Sequence, residues 1–298
     1  MSAAISKSEI VVVVGAGIVG FAKGRALLER GHQVSFTDSS SARCDDLMSR
    51  GFACEKIVTL SAESSLVFVC VPTPASSSGY DFAILRESLE YLGRQLSMSE
   101  TRHVIVVCST LAPVTMTTLV IPTLEEFSGG KEGHDFDVAL VPEFISAPRA
   151  LEDSRAPWMT LIAAPNESVR SRLVALLQPF GGEIRTTDNL IAAELIKVTH
   201  NAYNAAKIGF FNEMFRLASA VSVDGHFVAE VVSRSAEGSI NTQYGIRGGT
   251  PFGGACLPKD LDGLIAFAKT VGVAVPGLEA AREINESFES ENVESIES

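Results

Sequence analysis

Short apolar runs alternate with helix-spaced segments along the first two thirds of the chain. "EIVVVVG" is a continuous apolar run, the pattern of a parallel strand buried on both faces. In "IVGFAKGRALLERG", Val19, Ala22, Ala26 and Leu27 fall at helical spacing and Gly31 is the stop. "HQVSFTD" reads as a second strand. "SLVFVCVPTP", "RHVIVVCST" and "DVALVPEF" each read as a strand ending in turn chemistry, and "WMTLIAA" as one more. Strand and helix in alternation predict an α/β domain with a doubly wound parallel sheet. "PASSSG", 74–79, and the proline-containing "SAPRALEDSRAP", 146–157, are expected to be loops.

Near Asp188 the pattern changes. "LIAAELIKVTHNAYNAAKIGFFNEMFRLASAV" has continuous helical periodicity and no glycine or proline before Gly209. A glycine-rich loop follows, then helices through "LDGLIAFAKTVG" and "LEAAREINESFES". The expected division is an α/β domain over 1–188 and an all-helical domain over 189–298. The acidic, serine-rich end is expected to fray, with Ile284 and Phe288 packing its first turns.

Composition narrows the classes. With 46% hydrophobic residues the chain can bury a sizeable core. A formal net charge of −12 argues against nucleic acid or an acidic membrane surface as partner. Part of that excess is local, since six glutamates lie between Glu283 and Glu297 and no Lys or Arg follows Arg282. The five cysteines form no CxxC pair and no zinc-ligand spacing, so no metal is expected, and their odd count fits a reducing cytoplasm. The apolar run Ile10–Ala22 is too short to span a bilayer, contains three glycines and precedes no clear cleavage segment.

That same run contains Gly15, Gly17 and Gly20 as GxGxxG, after a strand and at the opening of a helix. This is the context that makes the pattern a Rossmann-type dinucleotide fingerprint rather than a chance glycine turn. The first glycine makes the turn, the second admits the pyrophosphate, and the third lets helix and strand pack closely. Ile18 and Val19 open the helix. Asp38 ends the second strand, where a carboxylate accepts from a ribose hydroxyl and repels a 2′-phosphate, which favours NAD over NADP.

Cys256, after Gly253 and Gly254 in "PFGGACLPKD", is a nucleophile or a small buried apolar residue. Pro258 suits the start of a helix and would put Cys256 at its N-terminus, where a thiolate is stabilised. Lys197 and Asn201 lie four apart and share one helix face. Asp260 reads alone as a first-turn acid facing the helix dipole.

In their order, "VVVVGAGIVG", "VFVCVPTP", "CSTLAP", "VPEF", "AAELIKVTHNAYNAAKIGFFNE" and "PFGGACLPKD" resemble the blocks of the UDP-glucose/GDP-mannose dehydrogenase family. "GGTPFGGACLPKD" is particularly similar to the GDP-mannose branch. The resemblance implies an NAD-dependent enzyme that oxidises the C6 primary alcohol of a sugar nucleotide to a carboxylate with two NAD molecules. It makes Cys256 the nucleophile that turns an aldehyde into a thiohemiacetal and then a thioester. It makes Lys197 and Asn201 the donors to the substrate oxygen, and Asp260 the carboxylate that orients water or Lys197. Thr110 and Glu143 join this catalytic set. Val71, Pro72 and Thr73 lie over the cofactor, with Ser109 and Thr110. Glu143, Phe144, Phe252, Gly253 and Gly254 are implied at the substrate. Pairing of subunits through the helical domain is implied as well.

The chain departs from the family at two places. "PEFISAPRA" has Ser146 and Ala147 where relatives carry a charged pair, so the glutamate credited with activating water is missing. The chain also stops where relatives lead into a third, nucleotide-closing domain. This predicts weak turnover of UDP-glucose and leaves a smaller alcohol open as substrate. A two-electron dehydrogenase, and a relative that binds NAD without turnover, are the alternatives.

Overall fold

A computed structural model of the protein describes residues 8–246 and 248–297. Contacts divide the chain into two compact units, Met1–His200 and Asn201–Ser298.

The first unit is built on an eight-stranded sheet. Its early strands are β1 (Ile10–Val14), β2 (Gln33–Thr37), β3 (Cys54–Glu55) and β4 (Leu66–Val69). The "PASSSG" stretch, read as a loop, holds a small separate hairpin of β5 (Ala75–Ser76) and β6 (Gly79–Tyr80). The sheet continues with β7 (Val104–Val107), β8 (Asp137–Leu140), β9 (Met159–Ala163) and β10 (Glu183–Thr187), in spatial order β10-β9-β8-β7-β4-β1-β2-β3. Helices α1 (Ile18–Glu29), α2 (Ser41–Ser49), α3 (Ala83–Ser97), α4 (Ile121–Ser128), α5 (Ala150–Arg155) and α6 (Glu167–Leu177) cover its faces, and α7 (Leu190–Ala220) begins in this unit.

Successive side chains of a strand point to opposite faces. Val11 and Val13 of β1 therefore join one core with Phe36, Phe68 and Val106, while Val12 and Val14 join a second with Val69, Ile105 and Leu140. Two buried faces explain why these strands are apolar without interruption.

Two expectations are corrected here. The sheet is not wholly parallel: β8 and β9 meet antiparallel, with Leu140 opposite Ala163, and β10 runs parallel to β9. Apart from a 3₁₀ turn at Ala147–Arg149, the connection between β8 and β9 carries the six-residue α5, in the stretch read as loop. At about 1.5 Å per residue that helix is too short to carry the chain back along the sheet, so β9 enters from the end that β8 leaves. The sequence reading also missed β3 and β10. These edge strands lack a continuous apolar run, and in "EIRTT" no residue is fully buried.

The second unit contains the rest of α7 and α8 (Gly225–Ser235), α9 (Glu237–Ile240), α10 (Leu257–Thr270) and α11 (Pro276–Glu297). Leu217, Ile265, Ala268, Val275 and Leu278 form its core. Glu213 is buried and accepts from Gly277 N at 2.7 Å, capping the first turn of α11. The expected fraying of the acidic end gives way to helix through Glu297, in keeping with the high helix propensity of glutamate.

Burial of His103 gives the first unit a pH dependence. Its ring is fully buried at the start of β7, accepts from Ser65 N through Nδ1 at 3.2 Å, and meets Ser99 Oγ through Nε2 at 2.9 Å. Burial, and then the charge of Arg172, hold its pKa below the usual 6.5. The folded protein therefore binds this proton less readily than the unfolded chain. The stability is full above about pH 6.5 and is lost as pH falls toward the folded value, by up to about 1.4 kcal/mol per unit. Thermal melts from pH 7.5 to 5 are expected to fall less steeply for His103→Gln; equal slopes would exclude His103 as the cause.

Candidate active site

The crevice opens over the C-terminal ends of β1 and β4, where the order of strands reverses direction along the sheet. It has a volume of about 470 Å³. The loop after β1 and the first turn of α1 supply Gly17, Ile18 and Val19; the loop after β4 supplies Cys70, Val71, Pro72 and Thr73. Cys108, Ser109 and Thr110 follow β7, Glu143 and Ile145 follow β8, and Lys197 enters from α7.

The walls are braced by local hydrogen bonds. Thr73 Oγ1 donates to Thr110 O at 2.7 Å, and Ser109 Oγ donates to Val71 O at 2.7 Å. The Ser109 hydroxyl thus ties two loops together as well as lining the cavity. Gly15 sits at φ +89°, and a Cβ there would stand 2.8 Å from Cys70 O, so only glycine meets both demands. A Cβ at Gly17 would meet nothing within 4 Å and would project into open space at the helix N-terminus. This bare helix N-terminus, the flanking crevice and a carboxylate at the end of β2 fit a dinucleotide.

That carboxylate, Asp38, is locked in place. Its Oδ2 accepts from Ala16 N and its Oδ1 from Ser40 N, each at 2.9 Å. Through these bonds it organises the glycine turn. Asp38→Ala is expected to weaken NAD binding roughly a hundredfold, two charge-assisted bonds being lost, and to narrow the NAD/NADP gap. Calorimetric titration with both dinucleotides checks this. A wild-type preference for NADP, or an unchanged ratio in the variant, contradicts it.

Lys197 is not a solvated lysine: it is 9% exposed, and its Nζ lies 5.2 Å from the centre of the Phe144 ring. Burial pulls its pKa below the usual lysine value, and the charge of Glu143 offsets part of that. Phe144 is not in the crevice wall but in an aromatic cluster. It packs edge-on against His200 at 4.9 Å and tilted against Trp158 at 5.8 Å. Cys108 is pushed well up, first by the Cys70 thiol beside it and then by burial, which keeps it an unreactive thiol.

Two groups escaped the sequence reading. Lys23 lies on the buried face of α1, and its Nζ approaches Glu143 Oε1 at 2.8 Å, off the hydrogen-bond direction. Glu194, 1% exposed, accepts from Val114 N at 2.7 Å and Met116 N at 2.6 Å. It holds Val114, a branched residue at φ +71°, and ties α7 to the loop after Thr110. The signal for both was a charged residue at an apolar helical position, since such residues are buried only when partnered.

Of the remaining expected residues, Asn201, Phe252, Gly253, Gly254, Cys256 and Asp260 belong to the second unit. Cys256 is exposed, whereas Cys44, Cys54 and Cys108 are buried. It is the N-cap residue of α10, with Pro258 in the first turn. Asp260 N donates to Cys256 O at 2.9 Å, and the exposed Asp260 carboxylate pairs with Lys259. The loop before the cysteine is pinned at Phe252, whose N donates to Asn285 Oδ1 at 2.6 Å and whose O accepts from Asn285 Nδ2 at 3.1 Å. No group of three or more metal-ligating side chains gathers among the described residues, and none of their helices is long and apolar enough to cross a membrane.

Comparison with known proteins agrees with this geometry. Residues 50–181 match the NAD binding domain of the UDP-glucose/GDP-mannose dehydrogenase family, and residues 191–287 its central domain. GDP-mannose 6-dehydrogenase of Pseudomonas syringae pv. tomato is 35% identical over 303 residues, covering 93% of this chain and 68% of that protein. UDP-glucose 6-dehydrogenase TuaD of Bacillus subtilis is 26% identical, covering 93% of this chain and 62% of that protein. The crystal structure of a ternary complex of GDP-mannose dehydrogenase from Pseudomonas aeruginosa superposes with a TM-score of 0.85 at 31% identity, over 93% of this chain and 68% of that one. An NAD-binding fold with its phosphate loop, a helical unit carrying the cysteine block, and agreement at this level lead to one assignment: the chain belongs to the UDP-glucose/GDP-mannose dehydrogenase family.

Proposed function

We propose that the chain oxidises the C6 primary alcohol of a nucleotide sugar to a carboxylate in two hydride transfers. The observation that carries this reading is the gathering of Thr110, Glu143 and the buried Lys197 in the crevice that begins at the Gly17–Val19 turn. NAD, when bound, supplies the hydride acceptor for each oxidation. Lys197 and Asn201 donate to the substrate oxygen and stabilise the charge that develops there. Cys256 adds to the aldehyde, since an aldehyde has no second hydride to give until a nucleophile makes it tetrahedral. With Ala147 unable to act as a base, release of the acid relies on Glu143, on Asp260 or on a water bound by Thr110, and Phe252, Gly253 and Gly254 contact the substrate. The names of the relatives favour GDP-mannose among nucleotide sugars.

The protein works as a homodimer in this reading. Tyr203, Ile208, Phe210 and Phe227 are apolar residues left exposed in the second unit, in keeping with a covered face.

A second reading is a two-electron dehydrogenase on a smaller alcohol. It is favoured by Ala147, which cannot act as a base, and by the side chain that organises this loop. Asp153 Oδ2 accepts from Ser146 N at 2.9 Å and so serves the backbone. A panel of nucleotide sugars, sugar phosphates and nucleosides with NADH counted per substrate consumed separates the two. Two NADH from GDP-mannose support the first reading, one NADH the second, and none from any alcohol removes both.

A further inference from the structure

Glu143 has two lysines near it, and only one of them was expected. Lys197 lines the crevice with it. Lys23 reaches it from α1, with side chains only 8% and 11% exposed, and belongs to the wall behind Glu143, among Val141, Phe144, Met159 and Thr160. We propose that Lys23 is a positioning residue for Lys197: by holding Glu143 from behind, it takes up carboxylate charge that Lys197 would otherwise draw on. The role of Lys197 in the reaction rests on the function proposed above; the charge relation does not.

A buried ammonium is retained only with a partner. Burial pulls the Lys23 pKa down, but Glu143 holds it above the usual lysine value. Lys23 is therefore a fixed positive charge at neutral pH. Lys197 is the opposite case, since burial leaves it below the usual value and Glu143 restores only part. One carboxylate thus faces two ammonium groups, and the one it contacts at 2.8 Å takes the larger share. Titratable groups about Lys197 besides Glu143 include Cys70 and Cys108 at the ends of β4 and β7, and Glu194 and His200 on its own helix. His200 is itself held below its usual value, first by burial and then by Lys197. Glu194 is raised by burial and has its oxygens committed to Val114 N and Met116 N. Glu143 is the charge that raises the Lys197 pKa. A dehydrogenase gains from this arrangement, because a lysine that loses its proton more readily can exchange one with the substrate oxygen as charge develops.

The test is the titration of Lys197 itself, followed by NMR of protein labelled with ¹³C at lysine Cε, with the resonance assigned through Lys197→Arg. Lys23→Met leaves the full charge of Glu143 to Lys197, and the midpoint should rise by about one pH unit or more. Glu143→Gln leaves only the repulsion of Lys23, and the midpoint should fall. The double variant Lys23→Met/Glu143→Gln removes both charges and should titrate close to wild type. NAD binding reports that each variant is folded. If Lys23→Met does not fold, the comparison of Glu143→Gln with the double variant decides, because identical midpoints in those two would mean that Lys197 does not feel Lys23. A folded Lys23→Met protein with the wild-type midpoint would also overturn the proposal. The titration needs no substrate. Absence of NADH production from every alcohol would therefore remove the proposed function alone, and an active enzyme with an unmoved midpoint would remove only the role of Lys23.

Discussion

Cys256→Ala protein is expected to bind NAD like wild type, to carry out the first oxidation, and to lose acid production by about a thousandfold or more. The first hydride leaves an alcohol, which needs a base and an oriented carbon but no nucleophile. The second needs a tetrahedral adduct, which the thiol makes in the proposed mechanism. Cys256→Ser is expected to form that adduct slowly and to stall as an ester, so incubation with GDP-mannose and NAD should add the mass of the oxidised substrate to the protein. The structure makes this a clean experiment. Cys256 is exposed and its side chain caps no backbone group of α10, so its loss removes no capping hydrogen bond from the helix. Thermal unfolding of both variants should match wild type. Acid formed at the wild-type rate by Cys256→Ala would end the covalent mechanism; a large fall in melting temperature would return Cys256 to a structural role.

The residues that were legible in the sequence are those whose neighbours are close in the chain. Gly15, Gly17 and Gly20 announce a turn because the strand before them and the helix after them are both visible as periodicity. Asp38 follows from the end of the next strand. Lys23 and Glu194 were not legible. Each is partnered across the fold, Lys23 by Glu143 and Glu194 by the backbone of Val114 and Met116. Periodicity registers them only as charged residues on an apolar face. β10 stayed hidden for a related reason, since an edge strand with half its surface open need not be apolar. The reversal at β9 depends on the length of α5, and a proline-containing stretch gives no measure of that. Glu143 shows the limit most plainly. It lines the crevice, and the lysine that engages it was not legible in the sequence. A carboxylate already held by Lys23 is a less available base for hydrolysis, which sharpens the question that Ala147 raises.

Gly20→Ala is expected to lower stability by about 3 kcal/mol and to abolish NAD binding, while Gly17→Ala should lose NAD affinity alone. The two positions lie three residues apart in one motif and differ in what surrounds them. A Cβ on Gly20 would overlap the carbonyl oxygen of Gly15 and stand 3.0 Å from a methyl of Val13 and 3.1 Å from Cys70 Cβ. The overlapping atom is backbone, so no rotamer change relieves it. Either α1 lifts from β1 or the glycine turn opens. Gly15 N donates to Thr37 O at 2.8 Å and an added Cβ there would stand 2.8 Å from Cys70 O, so the turn has little room to move. Overpacking of this kind costs up to about 3 kcal/mol, and more when the backbone must shift. Displacement of α1 would also carry Lys23 away from Glu143. At Gly17 the backbone angle of −66° suits any residue, and the space beside it is open. Alanine there leaves the fold unchanged and places a methyl where the pyrophosphate approaches, weakening NAD by about tenfold or more. Thermal unfolding and NAD titration of the two variants give the contrast directly. A Gly20→Ala protein that melts with wild type, or a Gly17→Ala protein with wild-type affinity, would show that the cofactor does not lie against this turn as its geometry implies.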